Sequence, residues 1–154
     1  MPTKLAAGLA ALALLFAACG DDDDGADDAT TDTTAAAASD ATVDVANTSL
    51  GDVLVDAQGF TLYVFDMDEP GTSNCSGECL DSWPPAIVDE GFEVADGLDQ
   101  AMFGTIDAPS GTQLTVNERP LYTFAADAAP GDVNGQAVRG VWWAVGADGN
   151  PIEG

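Results

Sequence analysis

One hexapeptide is written twice in this chain. Tyr63–Asp68 reads YVFDMD and Tyr122–Asp127 reads YTFAAD, 59 positions later, so both copies carry Tyr-x-Phe-x-x-Asp directly after a Leu. The match extends outward: GFTLYVF against ERPLYTF, DEPG against DAAPG, and Trp83 against Trp142 or Trp143. Self-similarity at a fixed period marks one supersecondary unit used twice, and a single unit of this kind cannot bury its apolar face alone. The expected fold is therefore one small domain of two related halves, with repeats at about 50–90 and 103–146.

The halves read as β. From Asp52 the chain runs DVLVDAQGFTLYVFD, an apolar stretch, a turn centred on Ala57-Gln58-Gly59, and a second stretch rich in β-branched and aromatic residues, which is a hairpin pattern. In 60–65 one strand face carries Phe60, Leu62 and Val64 and the other Tyr63 and Phe65, so both faces are expected to be covered. The second copy repeats the scheme as FGTIDA, a Pro109-Ser110-Gly111 turn, TQLTVN, a turn near Asn117–Pro120 and PLYTF, with VRGVWWAV as a last strand before the turn GADGN. Between the copies, Ser76–Trp83 can form one or two helical turns that Pro84-Pro85 stop. Two adjacent Trp on one strand face opposite ways, so one of Trp142 and Trp143 is expected to be partly exposed.

The N-terminus gives an address. Lys4 precedes an apolar run, Leu5–Ala18, too short for a comfortable membrane span, which needs about 20 residues, and ending in small residues before Cys19. Leu-Phe-Ala-Ala-Cys19 resembles a bacterial lipobox, which implies a signal peptide at 1–18, a diacylglyceryl group on the Cys19 thiol, and stable anchoring by two or three acyl chains. Gly20–Asp44 then holds nine Asp, no basic residue and runs of Thr and Ala. Such a segment buries little apolar surface and repels itself, so 19–47 reads as a disordered acidic tether and 48–154 as the folded domain. Asp21–Asp24 read as part of that spacer rather than as a cation site.

Charge and absent residues exclude more than the motifs assert. The segment 48–154 keeps 18 of the 27 acidic residues against Arg119 and Arg139, a formal charge of −16. The electrostatic term opposes nucleic acid and anionic lipid headgroups as partners, so the membrane is expected to be contacted through the lipid anchor alone. An envelope protein or a cationic ligand remains open. The chain has no His, and its one Lys lies in the signal. That excludes Ser-His-Asp and Cys-His catalysis and His-ligated zinc or copper, while Cys75-x-x-x-Cys79 with no following His excludes a typical c-type haem.

The lipobox, the acidic tether and the two copies of the motif together resemble the bacterial secreted-repeat predicted lipoproteins with Tyr-x-(Phe/Trp/Tyr)-x-x-Asp. The similarity also takes in GTSNCSGECLDSWPP, GTIDAPSGTQLTVNERPLYTF and PGDVNGQAVRGVWW, nearly all of Leu50–Val145. That family is described as of unknown function. The resemblance implies an envelope location and a repeat architecture, and no reaction.

Three roles stand open for Tyr63, Phe65, Asp68 and their counterparts Tyr122, Phe124, Asp127. The structural one packs the phenol at an edge with a hydrogen-bond partner while the carboxylate accepts from turn amides. A binding role sets the two Tyr/Asp pairs against a ligand across a pseudo-twofold axis. An acid–base role for Asp68 and Asp127 needs a cleft and a tuned pKa. Cys75 and Cys79, in an oxidising compartment, are expected to form a local disulfide, with redox activity or metal binding as alternatives. Asp66-Met-Asp68-Glu-Pro-Gly71 approaches a calcium loop, but Pro70 takes a ligand position and Glu78 falls one place late. Arg119 and Arg139 are expected to pair with neighbouring carboxylates. No cofactor, metal or catalytic residue is assigned. The leading expectation is a non-enzymatic, lipid-anchored extracytoplasmic binding or structural module. The alternative is an accessory in extracytoplasmic electron transfer or redox maintenance through Cys75/Cys79 and the Tyr/Trp cluster.

Overall fold

The computed structural model of the chain describes residues 41–154. Its strands are β1 (Val43–Thr48), β2 (Gly51–Asp56), β3 (Tyr63–Phe65), β4 (Phe103–Ala108), β5 (Gly111–Val116), β6 (Arg119–Pro120) and β7 (Trp142–Ala144), with one short helix, α1 (Glu78–Ser82), and 3-10 turns at Gln100–Met102 and Val138–Gly140. Three small antiparallel sheets result, β1-β2, β3-β7 and β4-β5-β6. The mainly β fold follows the period-2 pattern of the sequence.

The halves superimpose in their hydrogen bonding as in their sequence. The β1–β2 hairpin closes at Thr48↔Gly51 and the β4–β5 hairpin at Ala108↔Gly111, each with a glycine at positive φ just past the loop. The Leu62 amide donates to Leu54 O and, in the second half, the Leu121 amide donates to Leu114 O. The halves then exchange strands. β3 pairs with β7 of the second half (Tyr63↔Ala144), and Tyr122 bridges Pro85 of the first. Pro84 and Pro85 stand where the second copy has Trp143 and Ala144, and without amide donors they leave isolated bridges where β7 forms a strand. At the centre Tyr63 and Tyr122 exchange both backbone hydrogen bonds, at 2.8 and 2.9 Å, so the pseudo-twofold axis passes between the two motif tyrosines.

Alternation along β3 and its approach sends side chains to two cores. Leu62 and Val64 join Val43, Leu54, Leu114, Val116, Leu121 and Val145 on one side. Tyr63 and Phe65 join Trp83, Tyr122, Trp142 and Cys75 on the other. Each fully buried Leu or Val contributes about 1.5–3 kcal/mol. The expected double coverage holds for 62–65, while Phe60 is half-buried and joins neither core.

Two expectations are corrected. The domain does not begin at 48: Val43–Thr48 is β1, in register with β2 along its length, and Val43 is completely buried. Alternating Val43, Val45 and intervening polar residues make a strand whose composition resembles the Asp/Thr/Ala-rich sequence before it. The signal at 1–18, Cys19 and tether residues 20–40 lie outside the described residues. The second correction concerns the arginines. Arg119 pairs with Asp66 at 3.0 Å, whereas Arg139 makes no ion pair among the described residues.

Candidate functional site

The Tyr-x-Phe-x-x-Asp copies do not close on themselves. The Tyr63 hydroxyl donates to Asp127 Oδ2 and the Tyr122 hydroxyl to Asp68 Oδ2, both at 2.7 Å, so each tyrosine is held by the other repeat's aspartate. The second oxygen of each carboxylate accepts a turn amide, Asn74 N on Asp68 Oδ1 at 2.6 Å and Asn134 N on Asp127 Oδ1 at 2.9 Å. The Asn side chains reach back to Met67 O and Ala126 O. Both tyrosines are fully buried and Asp127 nearly so, while Asp68 is half-buried. The phenols are buried at the centre rather than packed at an edge, each carboxylate accepts a turn amide, and the pairing crosses between turns. Both oxygens of each Asp are committed to groups of the protein itself, which leaves neither aimed at an external substrate.

Burial sets the electrostatics. It is the largest cause of a strongly raised pKa at Tyr63, reinforced by the hydrogen bond to Asp127 and its charge. Burial likewise raises Tyr122. Asp68 is raised too, because desolvation outweighs the Tyr122 hydroxyl, the Asn74 amide and the Arg119 charge, all of which favour the ionised form. Asp66, first of the calcium-like loop, is taken up by Arg119 and by the Trp143 indole, whose Nε1 donates at 2.7 Å.

Beside the crossed pairs stand four aromatic rings in a column. Phe124 stacks on Trp83 (centroids 4.2 Å), Trp83 on Trp142 (3.7 Å, planes 2° apart), and Trp142 on Phe65 (4.3 Å). Tyr63 meets Trp83 edge-on at 5.5 Å, and Tyr122 meets Trp142 edge-on at 5.2 Å. The column obeys the pseudo-twofold axis, and it identifies Trp142 rather than Trp143 as the counterpart of Trp83. Trp143 is the partly exposed member of the pair. Gly135 makes room for the column: a Cβ there would lie 2.7 Å from Tyr63 Cζ and 2.9 Å from Trp83. Its amide donates to the Tyr63 hydroxyl at 3.2 Å.

A groove of about 830 Å³ opens onto this column. Its lining includes all four column rings, Met67, Glu78 and Cys79 on one side, and Val138, Arg139 and Val141 on the other. None of Tyr63, Asp68, Tyr122 and Asp127 lines it. Met67 is 63% exposed, and Arg139 sits exposed at φ 55°, two residues after Ala137 at φ 58°. Non-glycine residues at positive φ are uncommon, and two so close hold the rim in a sparsely populated conformation. Cys75 and Cys79 form the expected disulfide across the start of α1, Cys75 buried and Cys79 on the groove wall. Sequence reasoning did not find the groove, Gly135 or the Asn74/Asn134 amides. The recurrence of Asn six or seven positions after each motif Asp was the available signal.

Fold and site define a paired-repeat β domain with an internal Tyr–Asp lattice. The family profile described as a secreted repeat of unknown function matches twice, at residues 44–87 and 104–146, which covers more than half of the chain. The chain belongs to that family, and with it goes an extracytoplasmic location. The first match begins earlier than the expected repeat start near 50, in agreement with β1. Among the described residues no helix is long and apolar enough to cross a membrane. No curated protein and no solved structure matches the chain.

Proposed function

We propose that the chain is a lipid-anchored, non-enzymatic binding module of the cell envelope that engages its partner through the groove over the aromatic column. The groove itself carries the reading. It gathers an exposed Met67, an exposed Arg139 on a constrained backbone and four aromatic rings, two of them the motif's Phe65 and Phe124, while the motif's Tyr and Asp side chains are consumed inside the fold. Apolar concavities with a few placed polar groups are the usual form of a binding site. The acidic surface favours a cationic partner or the basic face of an envelope protein. Anchoring rests on Cys19 and the tether behind it.

Redox exchange through Cys75/Cys79 is the weaker reading. Glu78 and Asp81 flank the pair on α1, and neighbouring negative charge disfavours the thiolate that exchange requires.

Two measurements test the proposal. Cys19→Ser should release the protein from the membrane fraction; retention after that change would contradict lipid anchoring. A photo-crosslinking residue at position 67 should give a discrete adduct that Glu78→Arg, on the groove wall, abolishes. Identical adducts from position 67 and from exposed position 107 would contradict a partner at the groove.

A further inference from the structure

The chain contains two tyrosines in all, and both are fully buried with the hydroxyl on a carboxylate. Packing alone does not call for this. Phe at both tyrosines together with apolar residues at both aspartates would fill the same volume and leave far fewer buried polar atoms to satisfy. What the arrangement supplies is a proton acceptor. A phenol that loses one electron becomes strongly acidic, so it is oxidised readily only where a base takes the proton in the same step. An acceptor oxygen at 2.7 Å lies within reach, and an ionised Asp has only acceptor capacity.

The tryptophans supply the other half. Aromatic pairs usually avoid a face-to-face sandwich and sit 4.5–7 Å apart, yet Trp83 and Trp142 lie parallel at 3.7 Å. Overlap of this kind opposes the ring quadrupoles in the neutral pair and favours the oxidised one, because the positive charge spreads over both indoles. Phe65 and Phe124 stack on the outer faces of the pair. The indoles reach the groove, and each touches one tyrosine edge.

We propose that this array is a one-electron relay serving a high-potential, metal-centred oxidant docked at the groove. The oxidant takes one electron from the Trp83–Trp142 pair and is reduced by one. Tyr63 then passes an electron to Trp83 as its proton moves to Asp127 Oδ2, which leaves a neutral tyrosyl and a neutral carboxylic acid. Tyr122 does the same through Trp142 and Asp68. Only the O–H bond changes. A metal-centred one-electron donor at the same groove returns the electron, and the proton goes back to the phenol oxygen. A formal charge of −16 over 48–154 draws cationic partners of either kind. The relay goes beyond the binding reading and is testable without a natural partner.

The test is flash oxidation of the full-length chain in detergent by photogenerated tris(bipyridine)ruthenium(III), with an irreversible cobalt(III) quencher. Transient absorption and electron paramagnetic resonance follow the radicals. A tryptophan radical should give way to a tyrosyl, and any tyrosyl must arise at Tyr63 or Tyr122. Tyr63→Phe and Tyr122→Phe should each slow tyrosyl formation without abolishing it, because two branches drain one shared hole, and the double variant should leave a persistent tryptophan radical. In the Tyr122→Phe background, Asp127→Asn should slow tyrosyl formation at least about tenfold, as loss of a positioned base does. Should Asp127→Asn fail to fold, slowing of tyrosyl formation by heavy water in the unaltered chain reads the same coupled proton. A tryptophan radical that decays equally fast without the tyrosines, a tyrosyl rate indifferent to Asp127→Asn, or one indifferent to heavy water would each overturn the relay.

Discussion

Tyr63→Phe removes one oxygen from the centre of the molecule and strands two groups. Asp127, 7% exposed, loses a charge-assisted hydrogen bond at 2.7 Å, and the buried Gly135 amide loses its acceptor. A hydrogen bond to a charged group contributes about 1.5–3 kcal/mol, and an orphaned buried donor costs about 1–3. Partial relaxation of Asp127 toward its Asn134 amide reduces the sum, so the expected loss is about 3 kcal/mol. For a domain of this size that lowers Tm by roughly 10–15 °C. With a urea m-value of about 2 kcal/mol/M it lowers the midpoint by roughly 1.5 M. Tyr122→Phe strands a half-buried Asp68 and the Ser73 hydroxyl and should cost less, about 1–2 kcal/mol. Equilibrium urea unfolding of both variants checks the magnitude and the order. A Tyr63→Phe loss under about 0.5 kcal/mol, the size of an ordinary surface change, would refute the claim that the crossed pairs hold the halves together.

Further outcomes follow from single contacts. Gly135→Ala drives a Cβ into Tyr63 and Trp83 and should cost about 1–3 kcal/mol in thermal unfolding, as overpacking does. Reducing Cys75–Cys79 frees a five-residue loop, for which chain entropy gives about 2 kcal/mol, read as a lower Tm in reductant. Asp68 has a folded-state pKa above its ordinary 3.8, so the folded state binds the proton more tightly than the unfolded one. Its contribution to stability should therefore fall as pH rises from 3.8 through the folded value, and Asp68→Asn should flatten that part of a stability–pH profile. Arg119→Ala opens a pair whose side chains are 30% and 33% exposed and should cost less than about 1 kcal/mol in urea unfolding.

The sequence was informative where short-range pattern decides structure. β4, β5, the turn at Pro109-Ser110 and the helical turn at α1 lie where alternation, turn residues and the Pro84-Pro85 stop place them. The two-sided burial of β3 followed from apolar residues in both registers. β1 was hidden by its neighbours, because Val43, Asp44, Val45, Ala46 and Asn47 continue the Asp/Ala/Thr composition of the sequence before them. The alternation of Val43 and Val45 carried the strand signal, over too few residues to outweigh that composition. The crossing of the Tyr–Asp pairs was not legible, for a reason of symmetry. Two identical motifs satisfy the same spacing whether each closes on itself or on its copy. Strand exchange decides between them, by placing Tyr63 against β7 and Tyr122 against Pro85. The groove escaped because it is built from α1, the turn after β3 and the strained 137–141 segment, which approach one another only after that exchange.

Separating the repeats tests the crossed architecture most directly. A cut between Asp96 and Gly97, in an exposed turn, leaves each Tyr on one fragment and its Asp partner on the other. Neither 41–96 nor 97–154 should show native near-ultraviolet circular dichroism alone, and mixing them should restore it together with resistance to urea. A fragment that folds by itself, with its own tyrosine on its own aspartate, would contradict the exchange between halves.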